Sequence, residues 1–410
     1  MKFCNRCVYP ENHPLNIIFD EDGICSGCRI HEEKDFLNWT EREEKLSYIL
    51  NSYKNKSGNS YDCIIPVSGA RDSYFIVHII KNIYKMNPLL VTYNKHYNTD
   101  LGIRNLANLR IKFDCDIITL TVSPEKVKKI TRATMRKLGS IYWHCIAGQT
   151  VFPIQIAVKF KIPLIIWGAH QGIDQVGMFS HLDEVEMTRK YRKEHDLMGY
   201  EAEDLIDDFD NIEYTDIKQY CYPDNIEIES VGIRGIYLNN YIRWDSISQH
   251  NEMIKLYDYE NSKQTRTFDI YNDVDCFNYS DIHDYIKYLK YGFSKVSDHA
   301  TREIRLKKIT RNQGINLIKK YVKYKPQNLN LFLEWIGITE NGFNYIIDQH
   351  RNNKIWRKND NWEWELSENI FPESIDKNLD LDKDRFLNFT KSKRPNFIDN
   401  KYILTGKGLY

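Results

Sequence analysis

The chain has no excess of charge of either sign. Lys+Arg and Asp+Glu both number 57 in 410 residues, whereas a general nucleic-acid binder carries a basic surplus. No apolar run reaches membrane-spanning length; "IPLIIWGA" is among the longest and suits a strand. No apolar stretch of signal-peptide type follows Met1-Lys2-Phe3-Cys4. These absences set the expectation of a soluble cytoplasmic protein with neither a membrane nor a nucleic-acid partner. A Walker A loop is missing as well. What is present is enough apolar material for a packed core, at 42% of residues. The length predicts two domains, or two plus a small module.

Nine cysteines in such a chain read first as metal ligands or free thiols, and only then as disulfides. Cys4 and Cys7 form one C-x2-C, and Cys25 and Cys28 a second, with 17 residues between the pairs. That spacing suits a four-thiolate zinc site. Two intervening residues let a tight turn aim both sulfurs at one ion, and the second pair completes the tetrahedron. Four protein ligands leave no open position, so the zinc is expected to be structural. Gly23 and Gly27 flank the second pair, as turns of this kind require. His13 and His31 are surplus to such a site. A ribbon of this size has little core of its own and would draw folding energy from the metal. A charged helix and a polar linker follow, so the first unit is set at residues 1–56.

From residue 61 the pattern becomes α/β. "YDCIIPV" reads as a strand buried on both faces. "DSYFIVHIIKNIYKM" has helical spacing, with Phe75, Ile79, Ile80 and Ile83 on one side. Strand "PLLVTYN", helix "TDLGIRNLANLRIKF", strand "DCDIITLTV", helix "PEKVKKITRATMRKL", a helix over about 149–160 and strand "IPLIIWGA" follow in turn. This alternation predicts an α/β fold, a parallel sheet with helices on both faces, over 57–270. A substrate loop is expected as an insertion at about 171–230, and a mainly helical region over 271–410.

Between the first strand and its helix lies "SGARDS", residues 68–73. Small residues let the backbone turn closely, and a helix start offers free N–H groups at its positive end. Val67, Ser68, Gly69, Ala70, Arg71, Asp72 and Ser73 are therefore candidate phosphate-binding residues. Ser68 and Ser73 can donate hydroxyl hydrogens, and Asp72 can order the loop or hold a magnesium ion. A capped strand–turn–helix is the plain alternative.

These residues resemble the SGGxDS loop of the ATP-pyrophosphatase (PP-loop) superfamily, whose members adenylate a carbonyl or carboxylate oxygen and release pyrophosphate. Ser68, Gly69, Asp72 and Ser73 match, and Ala70 stands where the pattern has its second glycine. The paired C-x2-C motifs, "PVSGARDS", "PLLVTYNKHYNTDLGIRNLANL", "IPLIIWGAHQ", "IYLNNYIRWD" and "KYGFSKVSDHATREIR" stand in one order. Together they resemble the N-acetyl sugar amidotransferases of surface-polysaccharide and flagellin-glycan pathways. The resemblance implies conversion of an acetamido group of a nucleotide-linked sugar to an acetamidino group. It implies ATP, Mg2+ and a structural Zn2+, with ammonia from a separate glutaminase subunit. It also implies that Thr92, Tyr93, Asn94 and Gly168 lie near the nucleotide. "GSIYWHCIAG" departs from the family, where a more cysteine-rich segment is expected.

His299, Arg302, Glu303 and Arg305 are spaced like one face of a helix and are expected to meet triphosphate or the sugar. Arg71, Asp72, Ser73, Cys145, His299 and Arg302 form the candidate catalytic set. Cys145, beside His144, reads either as a working thiol or as a buried one. Cys63, Cys115, Cys221 and Cys276 read as core residues, and the tryptophans of "WRKNDNWEWEL" as packing. The competing reading is a PP-loop tRNA thiolation enzyme. Such enzymes usually need a basic face, and the group most like this chain carries further C-x2-C pairs. The balanced charge and the lack of a C-x2-C after residue 28 weigh against it.

Overall fold

A computed structural model describes residues 1–15, 17–56, 58, 61–208 and 211–367. Five parallel strands form the centre: β1 (Cys63–Pro66), β2 (Pro88–Tyr93), β3 (Ile117–Leu120), β4 (Leu164–Trp167) and β5 (Arg234–Tyr237). Their order in the sheet is β3-β2-β1-β4-β5. The chain therefore moves outward from β1 in one direction, returns, and moves outward in the other. The crevice at such a reversal, beyond the carboxyl ends of β1 and β4, is where ligands enter open α/β sheets.

The strands are short and nearly all apolar because helices cover both faces. Ile65, Leu90 and Ile166 join one core cluster with Tyr74, Val77 and Leu109. Ile64, Val91 and Ile165 join another with Val151 and Ile154. The expected strands and helices are present. The helix set at about 149–160 is longer, Trp143–Phe160, and accommodates Pro153 in its interior. β5 lies outside the elements read from the sequence, because "RGIY" is too short to show a period. The helix after the loop runs from Arg71 to Val77 and continues as a wider turn over His78–Ile83.

The insertion after β4 is built from short turns and helices, among them Gln171–Asp174, Arg189–Tyr191 and Tyr214–Ile217. Beyond β5, helices Phe277–Tyr291, Lys295–Arg305, Arg311–Tyr321, Leu329–Ile336 and Glu340–Asp348 share an apolar core. A hairpin of β6 (Trp356–Lys358) and β7 (Trp364–Leu366) follows. Trp356 is buried, with its ring 5.3 Å from that of Tyr288, and Trp364 stacks under Arg351, so these two pack; Trp362 is exposed. The remainder of the expected helical region, 368–410, lies outside the described residues. Among the described residues no helix is long and apolar enough to cross a membrane.

Candidate functional site

The loop after β1 sits at the reversal point. Val67 still belongs to the ladder, its N–H donating to Val91 O at 2.9 Å. The chain then turns at Gly69, where φ is +75°, and a Cβ there would stand 2.9 Å from Leu106 N and 3.0 Å from Gly102 O. Glycine is required at this position for both conformation and space. Ala70, by contrast, has φ −78°, ordinary extended backbone. The departure at this position is therefore harmless to the turn. Ser68 N–H donates to Ser73 Oγ at 3.1 Å, and Ala70 N–H to Ser68 Oγ at 3.3 Å. The two serines thus tie the loop to itself, and Ser73 keeps its hydroxyl hydrogen for another acceptor. The first N–H groups of the helix at Arg71 and Asp72 have no intrahelical partner. A cavity of about 200 Å³ opens beside Ser68, walled by Asn98, Gly102, Ile103, Leu106 and Thr119.

Charged groups from distant segments converge on this helix start. Asp269 is buried, and its Oδ1 accepts N–H groups of Tyr271 at 2.9 Å and Asn272 at 3.2 Å. Its Oδ2 faces Arg302 Nη2 at 2.7 Å and Arg71 Nη1 at 3.4 Å. Burial alone would raise this carboxyl, but the permanently charged Arg302 and Arg71 guanidiniums outweigh it and hold it well below the usual carboxylate range. Arg302 also gives Nε to Glu303 at 2.7 Å. His299 Nδ1 lies 2.5 Å from Thr267 Oγ1, and burial keeps its ring neutral. Asp72, a third exposed, meets Arg71 Nε at 3.5 Å and His250 Nε2 at 3.3 Å. Burial opposes its ionisation, yet Arg71 and the His250 hydrogen bond lower it on balance.

Of the six residues expected to be catalytic, Arg71, Asp72, Ser73, His299 and Arg302 are therefore neighbours. Asp269 and His250 complete the group and were missing from the sequence reading. "TFDIYND" marks a turn rather than a site, and His250 lies within an ordinary helix, Ser246–Tyr257. Cys145 lies apart, and no hydrogen bond joins it to the loop among the described residues. It is fully buried beside His144, and burial raises its thiol well above the ordinary value. His144 bridges Tyr93 (3.0 Å) and Tyr279 (2.9 Å), with its pKa lowered by burial to about 3. Tyr93 thus turns inward to this cluster and to Tyr220 at 2.8 Å, away from a position open to ligand. Thr92 is buried in β2, while Asn94 stands after it with Oδ1 accepting from His96 N–H and from Asn98 Nδ2. Gly168 gives passage to side chains: a Cβ there would lie 3.1 Å from Ile76 and 3.2 Å from Trp244.

The four N-terminal thiols come together, all Sγ atoms within 4.8 Å of one another and all buried. Cys4 Sγ accepts N–H groups of Cys7 at 3.4 Å and Cys25 at 3.2 Å. Converging thiolates held by backbone donors fit a tetrahedral zinc ion. Gly23 takes φ +71°, as the turn needs, but Gly27 serves another purpose. It lies in a helix, and a Cβ on it would strike Arg305 Nη2 at 2.3 Å and Gln175 O at 2.6 Å. Arg305 reaches Cys28 Sγ at 3.5 Å and Cys25 Sγ at 3.4 Å, and donates to Asp174 O and Gln175 O at 2.9 and 2.7 Å. It therefore belongs to the thiolate cluster and not with the residues facing the loop. Tyr9 hydroxyl donates to Asp298 at 3.0 Å on the same helix. One helix, Lys295–Arg305, thus touches the thiolates at one end and presents His299 and Arg302 to the loop.

Comparison with known proteins agrees with part of this picture. The chain matches, over 28% of its length and at 28% identity across 117 residues, an uncharacterized protein of Methanocaldococcus jannaschii, and the match spans 42% of that relative. Residues 262–371 match the family described as "LPS biosynthesis protein WbpG-like, C-terminal domain". This segment carries Asp269, His299 and Arg302, and the likeness supports a role for the chain in polysaccharide biosynthesis.

Proposed function

We propose that the chain is an ATP-dependent, AMP-forming amidotransferase that converts the acetamido group of a nucleotide-linked sugar to an acetamidino group. The supporting observation is the loop Ser68–Ser73 at the sheet's reversal point, whose Arg71 shares the buried Asp269 carboxylate with Arg302. The likeness of residues 262–371 to a lipopolysaccharide-biosynthesis domain favours a glycan substrate. An amide oxygen is a poor leaving group and needs activation. In this reading the amide oxygen attacks the α-phosphorus of ATP, and the bond to pyrophosphate breaks. The loop N–H groups, Ser73 and the two arginines receive the charge that develops on pyrophosphate. A magnesium ion at Asp72 would neutralise part of it. Ammonia then adds to the imidate carbon, the C–O bond breaks, AMP leaves, and loss of a proton gives the amidine. Ammonia comes from a separate glutaminase subunit, in the cytoplasm where nucleotide sugars are made. The test is release of AMP and pyrophosphate in equal amounts when UDP-linked N-acetylhexosamines and ammonium are supplied together. ADP as the nucleotide product would contradict the reading.

A further inference from the structure

Buried polar atoms normally have partners, because an unmade interior hydrogen bond costs the full desolvation of the group. The region just past β4 departs from that rule repeatedly. His170 is 1% exposed, and its Nδ1 accepts Gly172 N–H at 3.0 Å. That bond places the ring proton on Nε2, which has no partner. Arg192, also 1% exposed, gives Nε to Thr150 at 2.7 Å and Nη1 to Glu201 at 3.3 Å, but Nη2 meets nothing. The buried Tyr222 hydroxyl is unpartnered too, although its ring lies 5.1 Å from the Arg192 guanidinium. Asp196 forms no ion pair among the described residues, and burial pushes its carboxyl up to about 7 against the pull of Arg192.

Aromatic rings enclose these groups. The His170 ring lies 4.4 Å from that of Tyr191 and 4.6 Å from that of Tyr237. Burial raises both phenols, and the Asp196 carboxylate nearby adds to the rise. The location is decisive for function. β1 and β4 are parallel neighbours, so the turn carrying His170 opens on the same edge as the 68–73 loop. Unused donors and acceptors beside aromatic faces fit a polyhydroxylated ring better than other ligands. An anion would need a free cation, but Arg189 and Arg192 are both already paired with Glu201. A purely apolar ligand would leave every one of these polar groups unmatched.

We propose that His170, Arg192, Asp196 and Tyr222 form the recognition site for the sugar moiety of the acceptor, with Tyr191 and Tyr237 against its ring. The acetamido substituent of that sugar rests on the amide-activating reading above. The site delivers the amide to the crevice between the ends of β1 and β4, where the phosphate loop stands.

The experiment measures binding of UDP-linked N-acetylhexosamines by calorimetry, and of ATP by a fluorescent analogue, in the full chain and in Tyr222→Phe and Asp196→Leu. Tyr222→Phe removes a buried hydroxyl that the fold leaves unpaired, and Asp196→Leu removes a half-buried carboxyl that has no ion pair among the described residues. Thermal unfolding should therefore stay unchanged or shift upward, while sugar affinity falls on the order of tenfold and ATP affinity stays within about twofold. Unchanged sugar affinity in both variants would overturn this site and leave the reaction intact. An equal fall in ATP affinity would overturn it as well, by showing general disruption. A wild-type chain that binds ATP but none of these sugars would overturn both the acetamido reading and the proposal.

Discussion

Arg302 donates from Nη2 to Asp269 Oδ2 at 2.7 Å across 33 positions of sequence. The pair joins helix Lys295–Arg305 to the turn-rich stretch before Phe277, and Arg71 of the loop helix leans on the same carboxylate. A lysine at 302 keeps the charge but cannot serve Asp269 and Glu303 together, since it lacks the planar fork. Arg302→Lys should lower AMP formation roughly tenfold or more, as expected for loss of one charge-assisted hydrogen bond. The KM for ATP should rise and the KM for the acceptor should not. Steady-state kinetics with each substrate varied in turn decides this; equal rises in both would contradict it.

The loop makes opposite demands at neighbouring residues. Gly69→Ala forces a Cβ at φ +75° against the Leu106 backbone, so ATP binding should be lost and the melting temperature should fall. Ala70→Gly should be tolerated, because φ −78° suits either residue. Isothermal titration with ATP, paired with thermal melts, checks both. A tolerant Gly69→Ala would mean that the turn differs from the one described.

Removal of the metal should reach the loop through a single helix. Arg305 and Tyr9 hold Lys295–Arg305 against the thiolate cluster, and Arg302 lies one turn earlier. Chelation by a strong zinc chelator should release about one zinc per chain, as one four-thiolate site requires, and should weaken ATP binding. Arg305→Met should weaken ATP binding with zinc still present. Zinc analysis and ATP affinity are read on the same sample, and undiminished affinity in the metal-free chain would break the link.

Acid should unfold the protein partly through two buried imidazoles. Burial lowers the pKa of both His144 and His170 to about 3, whereas the unfolded value is about 6.5. Between these values the unfolded chain binds protons that the folded chain refuses. Stability is therefore full above about pH 6.5 and falls as pH drops toward the folded values, by at most about 1.4 kcal/mol per pH unit for each group. Urea melts from pH 7.5 down to pH 4.5 should show this slope. His144→Gln should flatten it, and an unchanged slope would remove His144 from the account.

Ammonium at high concentration should support turnover by this chain alone, with glutamine used only after a glutaminase partner is added. Nothing in the sequence has the form of a glutaminase region. Efficient glutamine use by the purified chain would refute the division of labour.

Much of the fold is written locally, and much of the site is not. Strands such as "CIIP" and "PLLVTY" announce themselves because burial on both faces demands continuous apolar residues. The C-x2-C pairs and "SGARDS" are equally local, since one turn of backbone decides their geometry. Asp269 could not be found this way. Its role depends on two arginines from separate segments of the chain, and nothing in "TFDIYND" reports their approach. Arg305 shares a helix with His299 and Arg302, and helical spacing alone could not tell that it turns toward sulfur. Tyr93 illustrates the reverse limit. The family resemblance implies a nucleotide near Tyr93, while in the structure its hydroxyl is taken up by His144 and Tyr220.

In the proposed reaction "SGARDS" holds the pyrophosphate portion of ATP during adenylation. The direct measurement is AMP release per zinc-loaded chain for wild type, Ser73→Ala and Asp72→Ala, with an acetamido nucleotide sugar and ammonium present. Ser73→Ala should slow release on the order of tenfold to a hundredfold, as expected for a lost hydrogen bond to a charged group. Asp72→Ala should slow it further, because the carboxylate that Arg71 and His250 hold in place is gone. Zinc content should barely change in either, and thermal unfolding should fall only modestly in Ser73→Ala, which loses the acceptor for Ser68 N–H. Wild-type rates of AMP release in Asp72→Ala would contradict the account and reduce the loop to a capped turn.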